Sequence, residues 1–171
     1  VFTSQGIPFI QSGQEFLRTK GGDHNSYDKP DALNMIRWRE KAEQFDVVEY
    51  YRGLIELRRA HPLFRLETAH EARGALKFLD DQLGLPVPQG CVGFLIEDGA
   101  GRDEWSRALV LLNPQAKAVE FAIPEGEWRI FGDAMRAGNS ELRQSAAKLG
   151  AGRASVAARS ALILGELRGG D

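Results

Sequence analysis

The chain has 171 residues, 43% of them apolar and 27% charged, which suffices to bury the core of one domain plus part of another and excludes bulk disorder and a fibrous repeat. Its 22 basic and 24 acidic side chains leave a net charge of −2 without a long run of one sign, so nucleic acid is not an expected partner. The single cysteine, Cys91, excludes an internal disulfide and a cysteine-rich metal site, and no stretch approaches the roughly 18 consecutive apolar residues of a membrane span.

The sequence changes texture near Pro62, and residues 1–64 and 65–171 read as two units. Ile7-Pro8-Phe9-Ile10, bounded by Gly6 and Gly13, reads as a short strand buried on both faces, although Pro8 cannot donate to a central ladder. With no neighbouring strand in residues 1–64 to satisfy it, this segment is expected to pair with another copy, to stay with the rest of a larger fold, or to lose its order. Gln11 to Gln44 is a polar loop of a length that is more often functional than idle. Asp46 is the expected N-cap of a helix, with Glu49 as its capping-box partner and Val47, Tyr50, Tyr51, Leu54 and Leu57 at helical spacing. Arg58, Arg59 and His61 suit the negative end of that helix, and Pro62 ends it.

Beyond Phe64 the sequence predicts strands at Ala75–Leu79, Cys91–Ile96, Ala108–Leu112, Ala118–Ile123, Trp128–Phe131 and Ser160–Leu164, with no long helix. Turn signals such as Gly99-Ala100-Gly101, Asn113-Pro114 and Gly150-Ala151-Gly152 separate them, the pattern of an antiparallel sandwich. The two Gly-Ala-Gly runs lack the Gly-Lys-Ser or Gly-Lys-Thr ending of a phosphate loop and are expected to be hairpin turns.

Asp23, His24, Asp28 and Asp31 crowd the long loop but lack the spacing of a zinc or calcium site, so neither metal nor cofactor is expected. Ser12 is not in a nucleophile elbow, and His24, His61 and His70 define no triad. What remains is sugar chemistry: Asp31 and Asn34 offer hydrogen bonds to hydroxyl groups, and Tyr27 or Trp38 offers a ring to stack on a pyranose. The alternative is that Asp31 caps a turn after Pro30 and Trp38 packs beneath the loop.

Ser4-Gln5-Gly6-Ile7-Pro8-Phe9-Ile10, followed by Gly13-Gln14-Glu15-Phe16, resembles the eighth barrel strand of the alpha-amylase superfamily, glycoside hydrolase family 13. The run from Glu15 to Gly22, then Asn25-Ser26-Tyr27, Asp31, Asn34 and Trp38, is similar to the type I pullulanases, which hydrolyse alpha-1,6 branches. Tyr50 to Arg58 with His61-Pro62 resembles the eighth barrel helix of that family, and Val156 to Leu162 the last strand of its C-terminal sandwich. The resemblance implies a mixed fold: a strand, loop and helix from the end of a (β/α)8 TIM-type barrel over residues 1–64, then an antiparallel β-sandwich over 65–171.

It also implies retaining hydrolysis by three carboxylates on the fourth, fifth and seventh barrel strands, upstream of Val1, so that no catalytic residue is expected in this chain. Asp31 matches the family's loop carboxylate that hydrogen-bonds a sugar on the non-reducing side of the cleaved bond, with Asn34 and Tyr27 as further substrate contacts. Related enzymes carry a basic residue after that asparagine, whereas this chain has Met35, with Arg37 two positions later. Glu15 is expected to be a fixed hydrogen-bonding group under the loop. The implied partners are an alpha-glucan, the rest of the barrel and, through the unpaired first strand, a second copy. Nucleic acid and membrane are not among them, and the cytoplasm is placed ahead of secretion. The alternative makes residues 65–171 a non-catalytic carbohydrate-binding or stabilising module, with Trp105 and Trp128 as rings for a glucan.

Overall fold

In the computed structural model, which describes residues 1–169, an irregular N-terminal stretch carries α1 (Asp31–Asn34), α2 (Glu40–Glu43) and the long α3 (Phe45–Ala60). It is followed by α4 (Ala69–Ala75) and by β1 (Leu76–Phe78), β2 (Val92–Glu97), β3 (Trp105–Asn113), β4 (Val119–Ala122), β5 (Trp128–Gly132), β6 (Leu149–Gly150), β7 (Arg153–Val156) and β8 (Ser160–Leu167). All pairings are antiparallel, giving one sheet ordered β1-β2-β3-β8-β5 and a second ordered β4-β7-β6.

The central strands are apolar on both faces because both faces are covered. Leu95, Leu109, Leu111, Leu162 and Leu164 meet Phe121, Ala154 and Val156 of the smaller sheet. On the opposite face, Phe94, Ile96, Ala108, Val110 and Ile163 pack against Leu57 of α3 and against Leu63 and Phe64 of the turn after it. The result is three layers, with helix, five-stranded sheet and three-stranded sheet in that order. Each fully buried Leu or Phe contributes roughly 1.5–3 kcal/mol, so both interfaces hold the sandwich together.

All six apolar runs predicted beyond Phe64 are strands, and Gly150-Ala151-Gly152 lies at the turn of the β6–β7 hairpin. Two expectations in the first unit are corrected. Ile7-Pro8-Phe9-Ile10 is neither a strand nor buried: Ile7 is 97% and Phe9 91% exposed, because among the described residues no strand lies beside this segment to pair with it. Helix α3 begins at Phe45 without a side-chain cap, since α2 runs almost directly into it through Gln44. The capping box belongs instead to α4, where Thr68 Oγ1 accepts from Glu71 N (3.1 Å) and Glu71 Oε2 accepts from Thr68 N (3.1 Å).

Arg58 was expected to serve the dipole of α3, but its guanidinium turns the other way. Nη1 donates to the carbonyls of Phe2 (2.9 Å) and Ser4 (2.6 Å), and Nη2 to that of Gly6 (2.5 Å). The Gln5 amide completes the grip, donating to Leu63 O (2.7 Å) and accepting from Leu66 N (3.0 Å). Burial, and then the charge of Arg65, lower the Arg58 pKa from its usual value. Arg65 takes over the helix end, donating to Arg58 O (2.9 Å) and Arg59 O (3.1 Å). Arg58→Met is therefore expected to release residues 1–6, with about 2 kcal/mol of stability lost. Limited proteolysis checks this: wild-type resistance within the first ten residues in the variant would show that the grip does not hold them.

Candidate functional site

The loop from Gln11 to Gln44 is organised from its start by Gly13, whose φ of +90° opens a short 3-10 turn over Gln14–Phe16. Phe16 is buried and anchors the loop, with Trp38 leaning on it at 5.9 Å between ring centroids while remaining 65% exposed. Glu15 Oε2 accepts from Gly13 N at 3.0 Å, the fixed hydrogen-bonding role expected of it. Leu17 follows in the left-handed region at φ +62°.

Three side chains then tie the loop to itself. Arg18 donates through Nη1 to Ser12 O (3.1 Å) at the loop entrance and through Nη2 to Asn34 O at the end of α1. Asn34 Nδ2 in turn donates to Ser26 O (2.7 Å) and Lys29 O (2.8 Å), carbonyls on either side of Tyr27. Lys20 Nζ donates to the hydroxyl of buried Ser26 at 2.5 Å. The structure thus brings Tyr27, Asp31 and Asn34 into one loop but gives them different surroundings. Tyr27 is 87% exposed, and Asp31 is exposed at the first position of α1, whereas the Asn34 amide hydrogens are directed at the loop's own backbone. Arg37 folds back on the same helix, donating to Ala32 O at 2.8 Å.

Arg18 is a functional candidate that the sequence reading missed. Its partners are main-chain carbonyls, which any residue could supply, and the one visible signal is Gly13. A Cβ there would lie 2.7 Å from Arg18 Cδ and 2.9 Å from its Cβ, so the arginine needs a glycine to run across.

The buried polar groups outside the loop serve to join layers. His61, stacked on Trp105 at 3.7 Å, meets Asp103 Oδ1 through Nδ1 (2.6 Å) and the Asn139 amide through Nε2 (2.7 Å). Asp133 accepts from Met135 N and Arg136 N (both 2.9 Å) and from the Ser145 hydroxyl (2.7 Å). Burial pushes the Asp133 carboxyl up, but the Ser145 hydroxyl and those two amides outweigh it and hold the pKa below the ordinary value. Among the described residues, no three His, Cys, Asp or Glu side chains gather as a metal cage. Neither tryptophan offered for glucan stacking presents a free ring. Trp105 is 1% exposed in the core, and Trp128 is half-buried beneath the Arg107 guanidinium, 4.9 Å from its ring centroid.

Residues 76–135 match the sequence model of the family described as "Pullulanase, all-beta domain". The chain is a relative of the pullulanases. It is 36% identical over 124 residues to the pullulanase of Bacillus subtilis (strain 168), covering 72% of this chain and 16% of that protein. It is 33% identical over 132 residues to the glycogen debranching enzyme of Pectobacterium carotovorum, covering 74% of this chain and 19% of that protein. Among solved structures, the pullulanase from Bacillus acidopullulyticus matches with a TM-score of 0.82 at 38% identity, over 96% of this chain and 19% of that one. The pullulanase from Paenibacillus barengoltzii, solved with maltohexaose and α-cyclodextrin, matches with a TM-score of 0.80 at 39% identity, over 98% of this chain and 24% of that one. The chain thus spans less than a quarter of each of these pullulanases and debranching enzymes, and its sheets are those of a pullulanase β-sandwich domain.

Proposed function

We propose that this chain is part of a pullulanase-type debranching enzyme that cleaves alpha-1,6-glucosidic branches with retention, and that it supplies one wall of the substrate cleft. In this reading residues 1–64 are the loop and helix that end a (β/α)8 barrel, preceded by a segment, residues 7–10, that would become a strand only beside the rest of that barrel, and residues 65–171 are the sandwich that follows. The observation that carries it is the loop itself: Asp31 and Tyr27 stand exposed on a backbone that Arg18 and Asn34 tie together from within. An exposed carboxylate accepts two adjacent sugar hydroxyls, and a phenol ring packs on the apolar face of a pyranose. The maltohexaose complex of the Paenibacillus barengoltzii relative supports an alpha-glucan as the ligand.

Retention requires one carboxylate as nucleophile and a second, protonated carboxyl as acid. The two buried carboxylate residues among the described residues do not suit the acid. Asp103 and Asp133 are committed to backbone amides and to a histidine or a serine, and both pKa values are lowered where an acid needs a raised one. The reaction is therefore assigned to barrel strands outside these residues. Pullulan hydrolysis is the test: the 171 residues alone are expected to give none, and turnover that survives purification would overturn the assignment. In the enzyme that contains the chain, Asp31→Asn is expected to raise KM for pullulan about tenfold, the loss of roughly one charged hydrogen bond.

The second reading, a stabilising module, is favoured by the buried His61–Asp103 contact that joins the end of α3 to the sandwich. Its carbohydrate-binding form has lost its aromatic support, and affinity electrophoresis in a glucan gel is expected to leave residues 65–171 unretarded.

A further inference from the structure

We infer that Arg18 is the positioning residue of the substrate loop: its guanidinium fixes the backbone that carries Tyr27 and Asp31, so that the loop meets the sugar already formed. The inference rests on the proposed sugar-binding role of this loop. It adds a residue that would touch no sugar and would act wholly through the main chain.

The path is continuous. One guanidinium bridges Ser12 O at the loop entrance and Asn34 O at the end of α1, closing the loop across its base. Asn34 then carries the constraint inward through Nδ2 to Ser26 O and Lys29 O, so the carbonyls flanking Tyr27 are set by the same residue that Arg18 holds. Asp31 lies between these anchors, and its own carbonyl accepts from Met35 N at 2.7 Å. Two donors in one plane are required for such a bridge, and a lysine ammonium offers a point charge in place of a fork.

The arrangement is held against local strain. Leu17 is left-handed, Gly13 must lack a Cβ for Arg18 to pass, and Arg18 Nε is buried without an acceptor among the described residues. A turn that served only to connect would relax these features. Holding the loop in one conformation before the ligand arrives removes the ordering penalty from binding, at about 1 kcal/mol for each residue that would otherwise be frozen.

The test uses the enzyme that contains this chain, with Arg18→Met, Arg18→Lys, Asp31→Asn and the double variant R18M/D31N. R18M is expected to raise KM for pullulan about tenfold while kcat changes less than about threefold, because ordering the loop is a binding cost. The double variant is expected to raise KM by clearly less than the product of the two single effects, since the part of the R18M effect that acts through Asp31 is already lost and only the part that acts through Tyr27 remains. Amides of Lys29, Leu33 and Met35 are expected to exchange about tenfold faster in both R18M and R18K, while those of β3 and β8 keep wild-type protection. Unchanged exchange in the loop, or KM effects that multiply, would overturn the inference. If D31N leaves KM unchanged, the sugar contact at Asp31 falls, and the exchange rates alone then uphold or overturn Arg18 as the pin.

Discussion

Gly53→Ala is expected to destabilise the protein by about 3 kcal/mol, reversing the gain of up to about 1 kcal/mol that the same change brings in an open helix. Gly53 lies in the middle of α3, buried where the helix meets the chain between β5 and β6. A Cβ there would sit 1.8 Å from Ala137 O, 2.6 Å from Ala137 C and 3.3 Å from Gly138 N. These are backbone atoms, and they cannot swing aside as the end of a side chain can. The segment is also anchored against retreat. The Asp133 carboxylate holds Met135 N and Arg136 N, Tyr50 donates to Asp133 O at 2.9 Å, and Asn139 is held by His61. Either the helix or this segment must move, and each movement breaks hydrogen bonds on both sides. Urea unfolding of G53A checks the expectation, with Gly74→Ala as the control, because a Cβ at Gly74 in α4 meets nothing within 4 Å. A G53A protein as stable as G74A would mean that α3 and this segment do not press together.

Much of the sandwich was legible because its strands are long apolar runs between turn residues. Leu109 to Leu112 and Leu162 to Leu164 are apolar at every position, and a strand buried on both faces requires that. The hairpin turn at Gly150-Ala151-Gly152 was expected, but its strands escaped notice: β6 has two residues and β7 buries only Ala154 and Val156, too little apolar surface to stand out. The start of α3 was misjudged for a local reason: Asp46 has the chemistry of a cap, but the preceding residues already turn as α2, and the helix needs no side chain to begin.

In the loop from Gln11 to Gln44, Tyr27 and Asp31 were legible as residue types suited to sugar, and the end of the loop before α3 followed from its polarity, whereas its start did not, because residues 7–10 form no strand. Its internal ties were not legible. Arg18 grips Ser12 and Asn34, and Arg58 grips Phe2, Ser4 and Gly6, through main-chain carbonyls that every residue possesses. No spacing or composition rule marks such partners. The same gap recast Asn34, whose amide the sequence offered to a sugar and the fold spends on Ser26 O and Lys29 O.

Asp103→Asn is expected to lose about 3 kcal/mol at neutral pH, together with part of the acid sensitivity of the fold. The Asp103 side chain is 1% exposed, with Oδ1 accepting from His61 Nδ1 (2.6 Å) and Trp105 N (3.0 Å) and Oδ2 from Leu63 N (3.1 Å). Burial alone raises its pKa, but the hydrogen bond from His61 and those from the amides of Trp105 and Leu63 outweigh burial and hold it below the ordinary carboxylate value. An asparagine at this position turns an NH2 toward donors, leaving at least one buried N–H unpaired. The carboxylate also joins three parts of the chain: His61 at the end of α3, the start of β3 through Trp105 N and, through the other nitrogen of His61, Asn139. Because the folded pKa lies below the unfolded value of about 3.9, this stability is fully present above that value and is lost as pH falls through the folded pKa. Urea unfolding at pH 7 and in steps below about pH 3.9 should therefore show the gap between wild type and D103N narrowing as the carboxylate is protonated. Curves separated by the same amount at every pH would mean that the charge of Asp103 does not hold this junction, and that only the shape of the side chain does.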